Sequence, residues 1–157
     1  MGIPAVSDNL KAFRDMVAWS EIGPELLALS DNGYNVNVGS TPAHPILFPS
    51  YDEHPRIEVV AQDSDAAGRY QFMGRYWLAY KAQLHLPDFG PASQDIWCNQ
   101  LIRECHAMDD VEAGRLESAI AKCASRWASL PGNSYGQHTQ KVSDLTAAYL
   151  MAGGILA

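Results

Sequence analysis

The chain has 157 residues, a length that fits one domain or two small lobes around a shared core. With 47% hydrophobic and 18% charged residues it can bury a substantial core, which excludes a disordered tail, a collagen-like repeat and a coiled coil. Eleven Lys and Arg against 18 Asp and Glu leave a formal net charge of −7, which argues against a nucleic-acid-binding protein and against docking on anionic lipid.

Neither end of the sequence carries a membrane or export signal. The longest apolar run, residues 147–157, is too short to cross a bilayer and is interrupted by Gly153. The first nine residues contain no basic residue and no apolar stretch of the kind that a secretory signal needs. The sequence therefore predicts a protein made in the cytoplasm, with no membrane insertion and no nucleic-acid partner, and we expect a monomer.

The first half of the chain combines one helix with a long irregular segment. A helix is predicted over residues 8–21, where Leu10, Phe13 and Val17 recur at helical spacing and form a buried stripe. Residues 31–64 hold alternating valines, turn residues and four prolines. This pattern predicts short strands and loops that form a small hairpin sheet.

The second half is helical. Helices are predicted over residues 70–84, 91–107, 110–129 and 140–152. Helices beside a small hairpin sheet make an α+β domain. We expect a single domain over residues 1–157, with a strand and loop lobe at 31–64 and a helical lobe formed by 8–21 and 69–152.

Glu21 is the most informative residue of the first helix. It continues the spacing of Phe13 and Val17, so its carboxyl group lies on the apolar stripe. It also lies near the C-terminal end of the helix, where the macrodipole is negative. Both effects favour the protonated carboxyl, the form that a general acid needs. The alternative is a frayed last turn that points to water, and the spacing alone leaves both open.

Cysteine and histidine spacings do not indicate a metal site or a disulfide framework. Cys98, Cys105 and Cys123 form no C-x-x-C pair, and each lies on an apolar helical pattern that is typical of core thiols. The five histidines show no metal-ligand spacing. The sequence therefore predicts a protein without a metal or another cofactor.

Several blocks of sequence, in order along the chain, resemble the lambda-type phage endolysins. The first is the stretch KAFRDMVAWSE at residues 11–21. The later blocks are GYNV at 33–36, HPR at 54–56, AGRYQ at 67–71, SQD at 93–95, WASLPG at 127–132 and YGQ at 135–137. Each block alone is weak, but the ordered set covers nearly the whole chain.

This resemblance implies a mostly helical, lysozyme-like α+β fold whose small antiparallel hairpin sheet lines a glycan cleft. It implies an enzyme that lyses the host cell by cleaving the β-1,4 bond between N-acetylmuramic acid and N-acetylglucosamine in peptidoglycan strands. The expected reaction is lytic transglycosylation, which leaves 1,6-anhydromuramyl ends. The resemblance assigns catalysis to Glu21 and substrate binding to Arg69, Tyr70, Gln71, Tyr135 and Gln137.

Departures from the family pattern leave alternatives open. Ile22 follows the glutamate where the family usually has a small residue, and no second carboxylate shares the apolar context of Glu21. The acidic residues of the middle segment are expected to be loop residues or local hydrogen-bonders: Asp31, Asp52, Glu53, Asp63 and Asp65. A hydrolytic muramidase and a non-catalytic glycan-binding tail module are the alternatives. The resemblance also implies synthesis in the host cytoplasm and release through the inner membrane to the periplasmic wall.

Overall fold

The structure is a computed structural model that describes residues 7–132 and 139–157. Within these residues the α-helices are α1 (Asp8–Ile22), α2 (Pro24–Leu29), α3 (Trp77–Leu84), α4 (Pro91–Glu104), α5 (Met108–Ala113), α6 (Leu116–Cys123) and α7 (Val142–Met151). Short 3₁₀ helices occupy Val60–Gln62 and Gly74–Tyr76. None of the helices in the described ranges has the length and apolar character of a membrane span.

Strand pairing in the described residues consists of isolated antiparallel bridges. They join Val36 to Leu47, Asn37 to Ala67, Val59 to Ser64 and Ala67 to Phe72. The expected small hairpin sheet is therefore present as short pairings between loops, in a chain that is otherwise mostly helical.

The chain divides into two compact units. The central unit is Glu21–Cys98, and the terminal unit combines the residues up to Ser20 with Asn99–Ala157. The expectation of a single domain with a separate lobe at 31–64 stays a prediction.

The apolar stripe of α1 belongs to the terminal unit and is confirmed. Leu10 is 7% exposed, and Phe13 and Val17 are completely buried. The hydroxyl of Ser7 accepts a hydrogen bond from the Leu10 backbone N–H at 3.1 Å, which satisfies one of the free donors at the start of the helix. The spacing of apolar residues therefore predicted both the helix and its buried face.

The predicted helix over residues 110–129 is wrong in its extent, because Gly114 separates α5 from α6. Gly114 has a φ of +77°, and a Cβ atom on it would lie 2.3 Å from the carbonyl oxygen of Ile155. A side chain at this position would therefore clash with backbone. The helix ends because the left-handed Gly114 closes its last turn, and the C-terminal segment packs directly on this glycine.

Asp110 joins α5 to α6 inside the terminal unit. Its buried carboxylate accepts hydrogen bonds from Lys122 Nζ at 2.5 Å, Ser118 Oγ at 2.7 Å and Arg115 Nε at 2.7 Å. These bonds, that of Lys122 above all, hold the pKa of Asp110 well below its ordinary value. The carboxylate thus stays charged and keeps the two short helices together.

The described residues form no disulfide, and only two of the three cysteines match the expectation of core residues. Cys98 and Cys123 are buried, whereas Cys105 is half-buried. A hydrogen bond from the Cys123 side chain lowers the pKa of Cys105 to about 7.

An aromatic cluster forms the core of the central unit. The rings of Phe72 and Trp97 stack with 4.0 Å between their centroids and 2° between their planes. Trp77 lies 5.8 Å from Trp97 and 5.2 Å from Phe89. The helix predicted over residues 70–84 begins only at Trp77, because Phe72 is held in an antiparallel bridge. The cluster therefore takes the ring of Phe72 from a turn and not from the predicted helix.

His54 is buried against this cluster with a centroid distance of 5.0 Å to Phe89. Its Nδ1 accepts the Arg56 backbone N–H at 3.0 Å, so the ring proton is on Nε2, which donates to the Phe72 carbonyl at 2.7 Å. Burial lowers the pKa of His54 below its ordinary 6.5. The folded chain therefore holds this histidine neutral.

We expect the free energy of unfolding to decrease as the pH falls below 6.5, because there the unfolded chain binds a proton at His54 that the folded chain does not. The loss is at most about 1.4 kcal/mol per pH unit from this group. Denaturant unfolding between neutral pH and about pH 5 measures it. His54→Gln should lose less free energy of unfolding over this pH range than the wild type. His44→Gln, which changes an exposed histidine, should lose as much as the wild type. An equal pH dependence in wild type and His54→Gln would contradict this account.

Candidate active site

Glu21 lies half-buried in the wall of a pocket of about 110 Å³ inside the central unit, here called the Glu21 pocket. The apolar side of the pocket is formed by Ile22, Leu26 and Val36. Its polar side is formed by Asn37, Ser40 and Gln71, and Val38 and Gly39 complete the lining. Glu21 is thus placed at a cavity rather than in a frayed turn exposed to water.

The end of α1 explains how the carboxyl group meets an apolar surface. Gly23 follows the last residue of α1 with a φ of +87°, and α2 begins immediately after it. This reversal brings Leu26 of α2 against Ile22 and Val36 in a small buried cluster. Helix α2 was not predicted from the sequence, and it supplies part of the apolar surface beside Glu21.

A tight turn brings Gln71 into the pocket. Ala67 and Phe72 exchange backbone hydrogen bonds at 3.0 and 2.8 Å, which closes the turn between them. Gln71 itself has a φ of +53°, an uncommon backbone conformation for a residue with a side chain. Its Nε2 donates to the carbonyls of Gly68 at 2.8 Å and Val36 at 3.2 Å. Both amide protons of Gln71 are therefore used to fix its carboxamide in the wall.

The completely buried side chain of Gln94 supports this turn. Its Nε2 donates to the carbonyls of Phe89 at 2.8 Å and Tyr34 at 3.0 Å, and its Oε1 accepts the Arg69 backbone N–H at 2.9 Å. A Cβ atom on Gly68 would lie only 2.4 Å from that Oε1. The turn can therefore pack on Gln94 only with a glycine at position 68.

Arg69 and Tyr70 are buried in the central unit and do not line the Glu21 pocket. Arg69 donates through Nε to the Asn32 carbonyl and through a terminal nitrogen to the Tyr70 hydroxyl, both at 3.0 Å. The Tyr70 hydroxyl donates to Asp95 Oδ1 at 2.6 Å, and burial raises the pKa of Tyr70. These contacts hold the turn that carries Gln71. Direct substrate binding by Arg69 and Tyr70 stays a prediction.

Two further residues assigned to substrate binding, Tyr135 and Gln137, lie outside the described residues. Conversely, Asn37 and Ser40 line the pocket and were not singled out from the sequence. Asparagines that alternate with valines are typical of a strand with a polar outer face, so the pattern held no sign that Asn37 is buried.

Among the described residues that line the pocket, Glu21 is the only carboxylate. Three acidic residues of the middle segment accept hydrogen bonds elsewhere, as expected: Asp31 from Tyr51, Glu53 from Trp77 and Asp65 from Gly74. The described part of the chain also contains no group of His, Cys, Asp and Glu side chains that could hold a metal ion. The chemistry available at the pocket is therefore that of one carboxyl group beside polar amides.

The family model for endolysins matches residues 11–156 of this chain. The chain is 42% identical to the endolysin of Escherichia phage P2 over 157 residues, with 95% of each protein covered. It is also 42% identical to the endolysin of Escherichia phage lambda over 153 residues, with 95% of this chain and 94% of that protein covered.

Solved structures of bacteriophage lambda lysozyme have the same fold. The structure complexed with a chitohexasaccharide matches with a TM-score of 0.89 and 39% identity, over 99% of this chain and 100% of that one. A second lambda lysozyme structure matches with a TM-score of 0.84 and 38% identity over the same shares. The expected lysozyme-like fold is confirmed.

We expect Gly68→Ala to lower the free energy of unfolding by about 2–4 kcal/mol, since strain at positive φ adds to the clash with Gln94. Gly153→Ala is the matched control, because Gly153 also has a positive φ but nothing lies within 4 Å of an added Cβ. Denaturant unfolding of both variants measures the difference. Equal destabilisation by the two substitutions would show that the contact with Gln94 does not restrict position 68.

Proposed function

Because this chain belongs to the endolysin family, whose members lyse bacterial peptidoglycan, we propose that it acts as a lytic transglycosylase with Glu21 as its catalytic acid and base. The bond cleaved is the β-1,4 linkage between N-acetylmuramic acid and N-acetylglucosamine. The observation that carries this proposal is the half-buried Glu21 carboxyl in a pocket whose described lining holds no second carboxylate.

One carboxyl group is sufficient for this reaction. Protonated Glu21 donates its proton to the glycosidic oxygen, and the bond from that oxygen to the muramic C1 breaks. The Glu21 carboxylate then takes the proton from the C6 hydroxyl of the same muramic acid, whose oxygen forms a bond to C1. The product is a 1,6-anhydro sugar, and the enzyme returns to its protonated form. Because the nucleophile is part of the substrate, no second carboxylate is needed to activate water.

The residues around Glu21 have separate roles in this proposal. The apolar cluster of Ile22, Leu26 and Val36 forms the side of the pocket beside Glu21 from which water is excluded. Gln71, whose amide protons are bound to backbone carbonyls, offers its Oε1 to a hydroxyl or N–H group of the sugar. Arg69 and Tyr70 contribute by holding the turn of Gln71. The family resemblance assigns sugar contacts to Tyr135 and Gln137.

The proposed place of action is the bacterial cell wall. We propose that the chain is made in the host cytoplasm as a monomer and reaches the periplasmic wall after release through the inner membrane. Its binding partner there is the glycan strand of peptidoglycan, a proposal supported by the lambda lysozyme structure that holds a chitohexasaccharide.

We expect Glu21→Gln to lower the rate of clearing of purified cell walls at least about 100-fold, because the amide can neither donate nor accept the reacting proton. Glu25→Gln is the matched control, since Glu25 is an exposed carboxylate in the first turn of α2. Turbidity of wall suspensions measures the rate, and thermal unfolding checks that both variants fold. Equal clearing by wild type and Glu21→Gln would remove Glu21 from the mechanism. A folded wild type that binds walls without clearing them would favour a glycan-binding module.

We expect mass spectrometry of digested peptidoglycan to show anhydromuramyl ends, which lack one water molecule relative to the ends made by hydrolysis. Digestion in water labelled with heavy oxygen adds an independent readout, since only a hydrolase incorporates the label at C1. A hydrolytic muramidase digested in parallel provides the control. Labelled reducing ends in the digest made by this protein would show that it hydrolyses the bond and is not a transglycosylase.

A further inference from the structure

Asn37 is a completely buried polar residue in the wall of the Glu21 pocket. Its Nδ2 donates to the carbonyls of Val38 at 3.1 Å and Ile57 at 3.2 Å. Both protons of the side-chain amide are therefore used, and this fixes which end of the amide carries the oxygen. The side-chain Oδ1 has no hydrogen-bond partner among the described residues.

The backbone of Asn37 is satisfied, so the side-chain oxygen is the exception. The Asn37 N–H donates to the Ile46 carbonyl at 2.8 Å, and the Asn37 carbonyl accepts from Ser40 Oγ at 2.7 Å. A buried acceptor without a donor is unfavourable, and native proteins rarely leave one. The two bonds from Nδ2 account for the amide nitrogen, but no contact with a described residue accounts for the oxygen.

Gln71 shows the same arrangement in the same pocket. Each carboxamide has its nitrogen tied to two backbone carbonyls, which leaves its oxygen as the group able to bind a further donor. A pocket wall that contains two such carboxamides beside a carboxyl group is complementary to a ligand that brings hydrogen-bond donors. Hydroxyl and acetamido N–H groups are the donors that a wall sugar carries.

Building on the proposed function, we propose that Asn37 is a specificity-determining residue of the Glu21 pocket. Its Oδ1 accepts a hydrogen bond from a donor of the sugar bound beside Glu21, which satisfies the buried oxygen. Binding is then strongest for sugars with a donor at this point, because a site with a buried polar group discriminates against ligands that leave the group unpaired.

Two substitutions separate the acceptor from the two donor bonds. Asn37→Leu has a similar branched shape and removes the oxygen acceptor together with the two donor bonds. Asn37→Asp keeps an oxygen acceptor and removes only the bonds to Val38 and Ile57. Asn35→Leu is the matched control, since Asn35 accepts a hydrogen bond from the Asp31 N–H and does not line the pocket. Calorimetric titration of the full chain with chitohexaose measures binding, and thermal unfolding measures folding.

We expect Asn37→Leu to bind chitohexaose about tenfold more weakly than the wild type, the equivalent of about 1.4 kcal/mol. Asn37→Asp and Asn35→Leu should stay within about threefold of the wild type, a difference well below 1 kcal/mol. Cellohexaose, which has hydroxyl groups but no acetamido groups, identifies the donor. A loss confined to chitohexaose assigns the bond to the acetamido N–H, and an equal loss for both sugars assigns it to a hydroxyl.

The proposal would be overturned if Asn37→Leu bound chitohexaose as tightly as the wild type. It would also be overturned if Asn37→Asp lost as much affinity as Asn37→Leu, because that result would assign the effect to the bonds with Val38 and Ile57. If Asn37→Leu does not fold, Asn37→Asp decides the question alone. Retained binding by Asn37→Asp would then support the proposal, and lost binding would contradict it. Failure of the wild type to clear walls would instead contradict the proposed function. Wall clearing by the wild type together with unchanged binding by Asn37→Leu would contradict only the role of Asn37.

Discussion

The geometry of the Glu21 pocket depends on one buried amide, that of Gln94. Its three hydrogen bonds join Tyr34, Arg69 and Phe89, which are far apart in the sequence. The segment after Tyr34 supplies one wall of the pocket, and the turn that starts at Gly68 supplies Gln71. Because moving any one segment would break a buried hydrogen bond of this amide, these segments have little freedom to move independently.

The sequence predicts helices well where one apolar face decides the structure. Leu10, Phe13 and Val17 repeat at helical spacing, and α1 buries all three. Proline at the first turn predicted the start of α4, since its missing N–H has no partner there in any case. Prediction failed at Gly114, a left-handed glycine that closes the last turn of α5. Apolar periodicity continues across this position and does not register such a stop.

The candidate site could be predicted only where its residues leave a local pattern in the sequence. Glu21 interrupts an apolar stripe, which is a local signal, and the structure places it at a pocket. Gln71 was singled out only through the family resemblance, and the same motif does not separate residues that line the pocket from those that hold the turn, such as Arg69. Asn37 was not singled out because its side chain bonds to the Ile57 carbonyl, 20 positions away, a contact that no local pattern indicates.

The charge of the chain makes short-range hydrogen bonds more important for recognition. With a net charge of −7, the protein gains no general attraction to a cell wall that itself carries carboxylates. Screening at physiological ionic strength weakens the effect of distant surface charges on the pocket, whereas contacts inside a partly closed cavity are screened much less. Under the proposed function, discrimination between sugars must therefore arise where the glycan would touch the protein. The amide oxygens of Asn37 and Gln71 beside Glu21 are suited to this, because their orientation is fixed by backbone carbonyls before a ligand arrives.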